Sequence, residues 1–327
     1  MKYIGRYACS TSTSRILPGL SEKYPTLSYL KEDISGEPAS ALMYEKLLDC
    51  KPCLIAKIGS NELGCVATYI SVLRRRNFYD YVGQRYLRFC HRRFWRLDWN
   101  HDLAYRMEYQ AGFFSSATSN LELCAALHVN AIKDVDIYGS WRHEEGYFPH
   151  LFRNATIVPL NDLAPFRHLN PWSSALQGQK VLVVHPFSES ILRNYRERRE
   201  VLWDHPDILP DMDLKVVKSI QTSGGAFRPH QDWISCLRTM EDKIARTDFE
   251  VAIIGAGAYS LPLGMHVKRL GKKAVVLGGL TQIMFGVWGS RWDTDSDLVK
   301  RKNRWWTRPL PSERPPRVDL VENACYW

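Results

Sequence analysis

The residues best suited to chemistry fall in five short segments, each following an apolar run. They are Gly59-Ser60-Asn61-Glu62, Gly139-Ser140-Trp141, His185-Pro186-Phe187-Ser188-Glu189, Gly255-Ala256-Gly257-Ala258-Tyr259-Ser260 and Gly278-Gly279-Leu280-Thr281-Gln282. Glycine lets a backbone approach phosphate oxygens, and free amides at a helix start bind negative charge. Together the turns suggest a nucleotide or other phosphate ligand, although each glycine taken singly is also ordinary turn chemistry. Glu62, His185 and Glu189 are candidate general bases, because all three lie in or beside these turns. The plainer alternatives are a helix start capped by Ser60 or Asn61, with Glu62 favoured by the helix dipole, and a satisfied His185 beneath Pro186.

The Gly255 turn invites comparison with a dinucleotide fingerprint. It contains Gly-x-Gly, but Ser260 stands at the third glycine position, and the next strand ends in Gly278-Gly279 where an acidic ribose ligand belongs. The pyrophosphate of a sugar nucleotide needs no such acid. An NAD(P)-dependent oxidoreductase is therefore the runner-up reading and not the leading one. His143-Glu144-Glu145 resembles a metal cluster only superficially, since adjacent side chains do not converge as helix-spaced ligands do. Cys50-Lys51-Pro52-Cys53 reads as two packed thiols in a turn, because no second pair completes a zinc site.

Turns of this kind require elements that present them at one edge. The spacing predicts helices over 39–48, 61–73, 102–111, 120–132, 188–203, 232–245 and 259–270. It predicts strands over 53–58, 135–138, 180–184, 214–218, 250–254 and 274–277. Strands alternating with helices imply crossover connections, so the expected fold class is α/β, a mostly parallel Rossmann-like sheet with helices on both faces. Ligands of such sheets bind beyond the carboxyl ends of the strands, where the five turns fall. The expected organisation is an N-terminal arm over 1–38, a Rossmann-like catalytic domain over 39–290 with a subdomain break near 165–180, and a basic, aromatic tail over 291–327 packed on it.

The stretch Ile55-Ala56-Lys57-Ile58-Gly59-Ser60-Asn61-Glu62-Leu63 resembles the Arg-Phe-Gly-Asp-Gly-Glu signature of GT-D-type glycosyltransferases, which use nucleotide-sugar donors. Residues 181–187, 252–282 and 321–327 also look like uncharacterised bacterial proteins associated with surface-polysaccharide synthesis, so the resemblance spans 40–327. It implies a GT-D-like fold, a nucleotide-sugar donor and a glycan or lipid-linked acceptor. Glu62 keeps the carboxylate that in the family contacts donor and divalent metal, Mn or Mg, whereas Ser60 replaces the family's aspartate and Lys57 aligns with its arginine. A hard cation prefers several oxygen ligands, so losing that aspartate bears directly on metal dependence. The donor is expected against Gly59, Ser60, Asn61, Gly255, Gly257, Ala258, Tyr259, Gly278 and Gly279. The expected function is sugar transfer in surface-polysaccharide or glycan synthesis; the competing classes are the oxidoreductase above and a noncatalytic nucleotide-sugar or glycan-binding protein.

Charge points to partners. The chain of 327 residues carries 44 basic and 35 acidic side chains, a net +9. Nine arginines and three aspartates give +6 over 74–106, and eight basic residues with four acids give +4 over 291–317. Both stretches interleave aromatics, Phe94, Trp95 and Trp99 in the first and Trp292, Trp305 and Trp306 in the second. The combination suits an anionic membrane surface or a phosphorylated substrate, or equally arginine stems and tryptophans that cover the core edge with their charges in water, and the lack of any nucleic-acid motif ranks nucleic acid last. No stretch holds the roughly 20 apolar residues of a bilayer span. With no signal-peptide core at the N-terminus and eight scattered cysteines, the expectation is a cytoplasmic protein with reduced thiols, peripheral to the membrane.

Overall fold

The computed structural model describes residues 29–76, 98–225 and 228–327. Most of the expected arm, 1–28, and most of the arginine-rich stretch, 77–97 with Phe94 and Trp95, lie outside the described residues. Strands β1 (Cys53–Ala56), β2 (Ile137–Ser140), β3 (Thr156–Pro159), β4 (Lys180–His185), β5 (Asp213–Lys218), β6 (Val251–Ile254) and β7 (Lys273–Val276) form one sheet in the order β3-β2-β1-β7-β6-β4-β5. Every neighbouring pair is parallel. The helices are α1 (Glu37–Leu48), α2 (Ser60–Arg76), α3 (His101–Tyr105), α4 (Thr118–Lys133), α5 (Ser188–Leu202), α6 (Trp233–Ala245), α7 (Ser260–Arg269), α8 (Leu280–Met284) and α9 (Ser296–Arg301). This is the α/β, Rossmann-like architecture that the alternating patterns predict, and the sheet is parallel throughout.

The period of two in the strands divides the core into two layers. Leu54, Ala56, Leu182, Val184, Ala252, Ile254, Ala274 and Val276 face one way, against Leu63 and Val66 of α2, Cys124 of α4, Met240 of α6 and Val267 of α7. Cys53, Ile55, Val181, Val183, Val251, Ile253 and Val275 face the other, against Met43 of α1, Ile191 of α5, Ile283 of α8 and the tryptophans 288, 292 and 306. Each fully buried aliphatic side chain is worth about 1.5–3 kcal/mol, which is why both faces must be covered.

The differences from expectation have local causes. Strand β3 is short, partly exposed at both ends and finishes in Pro159 at the sheet edge, so it shows no apolar run, and its proline costs no ladder bond there. The helix expected over 102–111 divides into α3 and a π-helical turn, Arg106–Gln110. The tail returns over the second layer. Arg291 N donates to Cys325 O at 2.7 Å, and Trp306 Nε1 donates to Leu202 O at 2.8 Å. Buried Glu313 accepts the amides of Glu189 (2.8 Å) and Ser190 (3.3 Å) and the Ser190 hydroxyl. The anion position at the start of α5, open to a phosphate on sequence grounds, is thus filled by the protein's own carboxylate.

Strands β4 and β6 are neighbours whose onward connections leave in opposite directions, β4 outward to β5 and β6 inward to β7. Such a reversal opens a crevice beyond the carboxyl ends of the strands. His185 and Gly255 stand at its mouth, at the ends of those two strands.

Candidate functional site

A cleft of about 160 Å³ occupies this crevice and extends along the ends of β1, β5 and β7. Gly59, Ser60, Asn61, Glu62, His185, Gly255, Gly257, Tyr259, Gly278 and Gly279 all line it. Ala258 is buried in the same turn without reaching the cleft wall. Glu189 is not brought in. It is exposed on the first turn of α5 and pairs with Lys218 at 3.2 Å.

Lys57 and Glu62 arrive by the same route. Lys57 directly follows β1, and its side chain reaches across to Gly278, where a β-carbon would stand 2.9 Å from the ammonium nitrogen. Glu62, in the first turn of α2, is buried and folds back so that its carboxylate occupies the space a β-carbon on Gly59 would need. Burial pushes the Lys57 ammonium below its ordinary range, against the opposing attraction of Glu62, while Arg291 pushes the same way as burial. Arg291 enters from the tail, pairs with Glu322, and lies 5.5 Å from the centre of the Tyr326 ring. Tyr326, with Glu322 behind it, holds the guanidinium even more firmly protonated than usual, against the opposing effect of burial. Trp141, Tyr326 and Trp327 supply aromatic walls, and Trp141 is anchored by its indole N–H donating to Ile58 O at 3.1 Å.

His185 is buried, and its Nδ1 accepts the Phe187 amide at 3.0 Å. The neutral ring therefore carries its proton on Nε2 and acts as a donor, which removes it from the candidate bases. Burial pushes its pKa down to about 3 from 6.5. The unfolded chain then binds a proton that the folded chain refuses, so stability is full above pH 6.5 and falls as pH drops toward about 3. His185→Gln is expected to have a shallower loss of stability than wild type between these limits, as read by urea unfolding across the window.

The Gly255 turn differs from the anion cradle expected of it. Its amides are already used: Gly255 N donates to Val184 O (2.9 Å), Ala256 N to the Ser260 hydroxyl (2.7 Å), Ala258 N to Ala111 O (2.9 Å) and Tyr259 N to Ala256 O (3.2 Å). Among the described residues only the Gly257 amide of this turn is left for a ligand. Its glycines serve packing instead. Gly257 has φ +56°, and a β-carbon there would lie 2.8 Å from Ala111 O; one on Gly255 would lie 2.8 Å from the His185 ring. Gly257→Val is therefore expected to lower the melting temperature along with any ligand affinity, where the sequence alone predicts a selective loss of binding.

Other motifs resolve into structural roles. Glu145 turns inward and accepts the Tyr138 hydroxyl at 2.9 Å and the Ser140 hydroxyl, with its carboxyl raised by burial, while Glu144 pairs with Arg142. Cys50 is exposed and Cys53 buried, its thiol raised to about 11 by burial, so the pair is two unlinked thiols. Sequence reasoning missed Gln110, His128, Arg291, Glu322 and Trp327 as cleft residues. Arg291 had its advance signal in the basic, aromatic stretch over 291–317, and Glu322 and Trp327 in the resemblance over 321–327, whereas Gln110 and His128 had none. Compared with known protein families, curated proteins and solved structures, the chain matches none.

Proposed function

We propose that the protein is a glycosyltransferase that moves a sugar from a nucleotide-sugar donor to an acceptor hydroxyl in surface-polysaccharide or glycan synthesis. The observation that carries this reading is the meeting of Lys57 and Glu62 with Arg291 in one cleft at a sheet reversal. Glycosyl transfer needs a base at the acceptor and positive charge at the departing diphosphate. Glu62 takes the acceptor proton, the acceptor oxygen bonds to the anomeric carbon, and the bond from that carbon to the diphosphate oxygen breaks. Lys57, Arg291 and the Nε2–H of His185 meet the negative charge that leaves. Pockets for whole ligands run to about 300–1,000 Å³. The enclosed space therefore takes the diphosphate and sugar, with the nucleoside across the mouth against Trp141 or Trp327.

The donor set does not fit a protein-held divalent cation. Glu322 is tied to Arg291, Glu62 stands beside an ammonium, and the described residues contain no group of three or more metal-ligating side chains. Two fixed cations supply the charge that the resemblance assigns to Mn or Mg. The oxidoreductase reading is weakened by the occupied amides of the Gly255 turn and by the absence of an acid in Gly278-Gly279-Leu280-Thr281-Gln282.

A thermal-shift panel tests the proposal. Sugar nucleotides are expected to stabilise the fold equally with manganese and with EDTA, by about 2.7 kcal/mol at a hundredfold excess over the dissociation constant. Stabilisation by NAD or NADP alone would sink it.

A further inference from the structure

We propose that the surface formed by 300–317 together with the end of α5 docks the protein on an anionic lipid bilayer. All basic side chains of that stretch are exposed, from Lys300, Lys302 and Arg304 through Arg308 to Arg317. The single acid of 300–317, Glu313, is buried against the start of α5, and the exposed Glu200 at the end of α5 is paired with Arg199 at 3.1 Å. Arg301 is paired with Asp297 at 3.2 Å, but Lys300, Lys302 and Arg304 have no acidic partner within 4 Å among the described residues.

The apolar part of the surface lies among these charges. Trp305 is 39% exposed, Val299 47% and Val201 41%. Asn303 ties Val201 to Trp305, donating to Val201 O at 2.9 Å and accepting the Trp305 amide at 2.9 Å. Arg304 lies 4.8 Å from the centre of the Trp305 ring. An amphipathic indole with a cation over its face suits the headgroup boundary, and branched aliphatics beside it suit acyl chains. Valines offer nothing to stacked bases, which favours lipid over nucleic acid. The surface also borders the cleft, because Arg308 donates to Trp327 O at 3.1 Å and Trp327 lines the cleft. Docking here would bring the cleft mouth to the bilayer.

Co-sedimentation with vesicles of phosphatidylcholine, with and without phosphatidylglycerol, tests the proposal. The full chain is expected to pellet only with phosphatidylglycerol present and to be released by salt. A variant carrying K300Q, K302Q and R304Q is expected to bind on the order of a hundredfold more weakly, at about fivefold per charge. W305S is expected to weaken the attachment that persists as salt is raised. All four side chains are exposed, so unchanged melting curves would confirm that the fold is intact. The proposal is overturned if wild type ignores phosphatidylglycerol vesicles at low salt. It is equally overturned if the triple variant pellets like wild type, or if a single-stranded oligonucleotide binds this surface more tightly than the vesicles.

Discussion

Glu62→Gln is expected to lower sugar transfer by about two to four orders of magnitude, the usual contribution of a positioned general base. Donor affinity is expected to stay near wild type. Glutamine keeps the length and planarity of the side chain, so it still fills the space over Gly59 and still opens α2. What it loses is the capacity to take a proton. The structural loss comprises one favourable charge in the first helical turn, about 0.3–1 kcal/mol, and the attraction that Glu62 gives the buried Lys57 ammonium. A fall in kcat with an unchanged dissociation constant for the nucleotide separates catalysis from binding. Wild-type turnover would reduce Glu62 to a helix-start residue. Binding by wild type without turnover on any acceptor would favour the noncatalytic class.

The sheet was legible because its strands are continuous apolar runs. Leu182, Val183 and Val184 or Ala252, Ile253 and Ile254 can only be buried on both faces, and the turns after them had to fall at one edge. The positions of Gly59, Glu62, His185 and Gly255 in the cleft follow from that alone. Their chemistry does not. Whether the Gly255 turn offers free amides is decided by Ala111 O, from a distant segment, and by the hydroxyl of Ser260. Whether His185 can accept a proton is decided by the Phe187 amide. Arg291 and Glu322 come from a tail with no regular period, and their place follows from tertiary contacts such as Arg291 N to Cys325 O. Pattern reads burial well, but it is blind to which polar groups find each other.

Lys57→Met is expected to move activity and stability in opposite directions. In the proposed transfer the ammonium meets the negative charge that develops on the leaving diphosphate, and losing one such electrostatic group costs about two to three orders of magnitude in rate. The fold pays for that charge. Because burial holds the folded-state pKa of Lys57 below its ordinary 10.5, the unfolded chain binds more protons between the two values, and wild-type stability rises with pH across that window. Methionine has a similar apolar stem and no charge to desolvate, so the variant is expected to be at least as stable as wild type near neutral pH and to lack this rise. Attraction from Glu62 works against the gain, and Glu62→Gln combined with Lys57→Met removes that opposition. Urea unfolding from neutral pH to 10.5, paired with calorimetric titration of inorganic pyrophosphate, reads both sides. Pyrophosphate affinity is expected to fall in the variant, and in wild type to weaken as pH rises and Lys57 loses its proton. A variant that melts lower and still binds pyrophosphate like wild type would make Lys57 a packing residue, and the charge on the leaving group would then have to be met by Arg291 and His185.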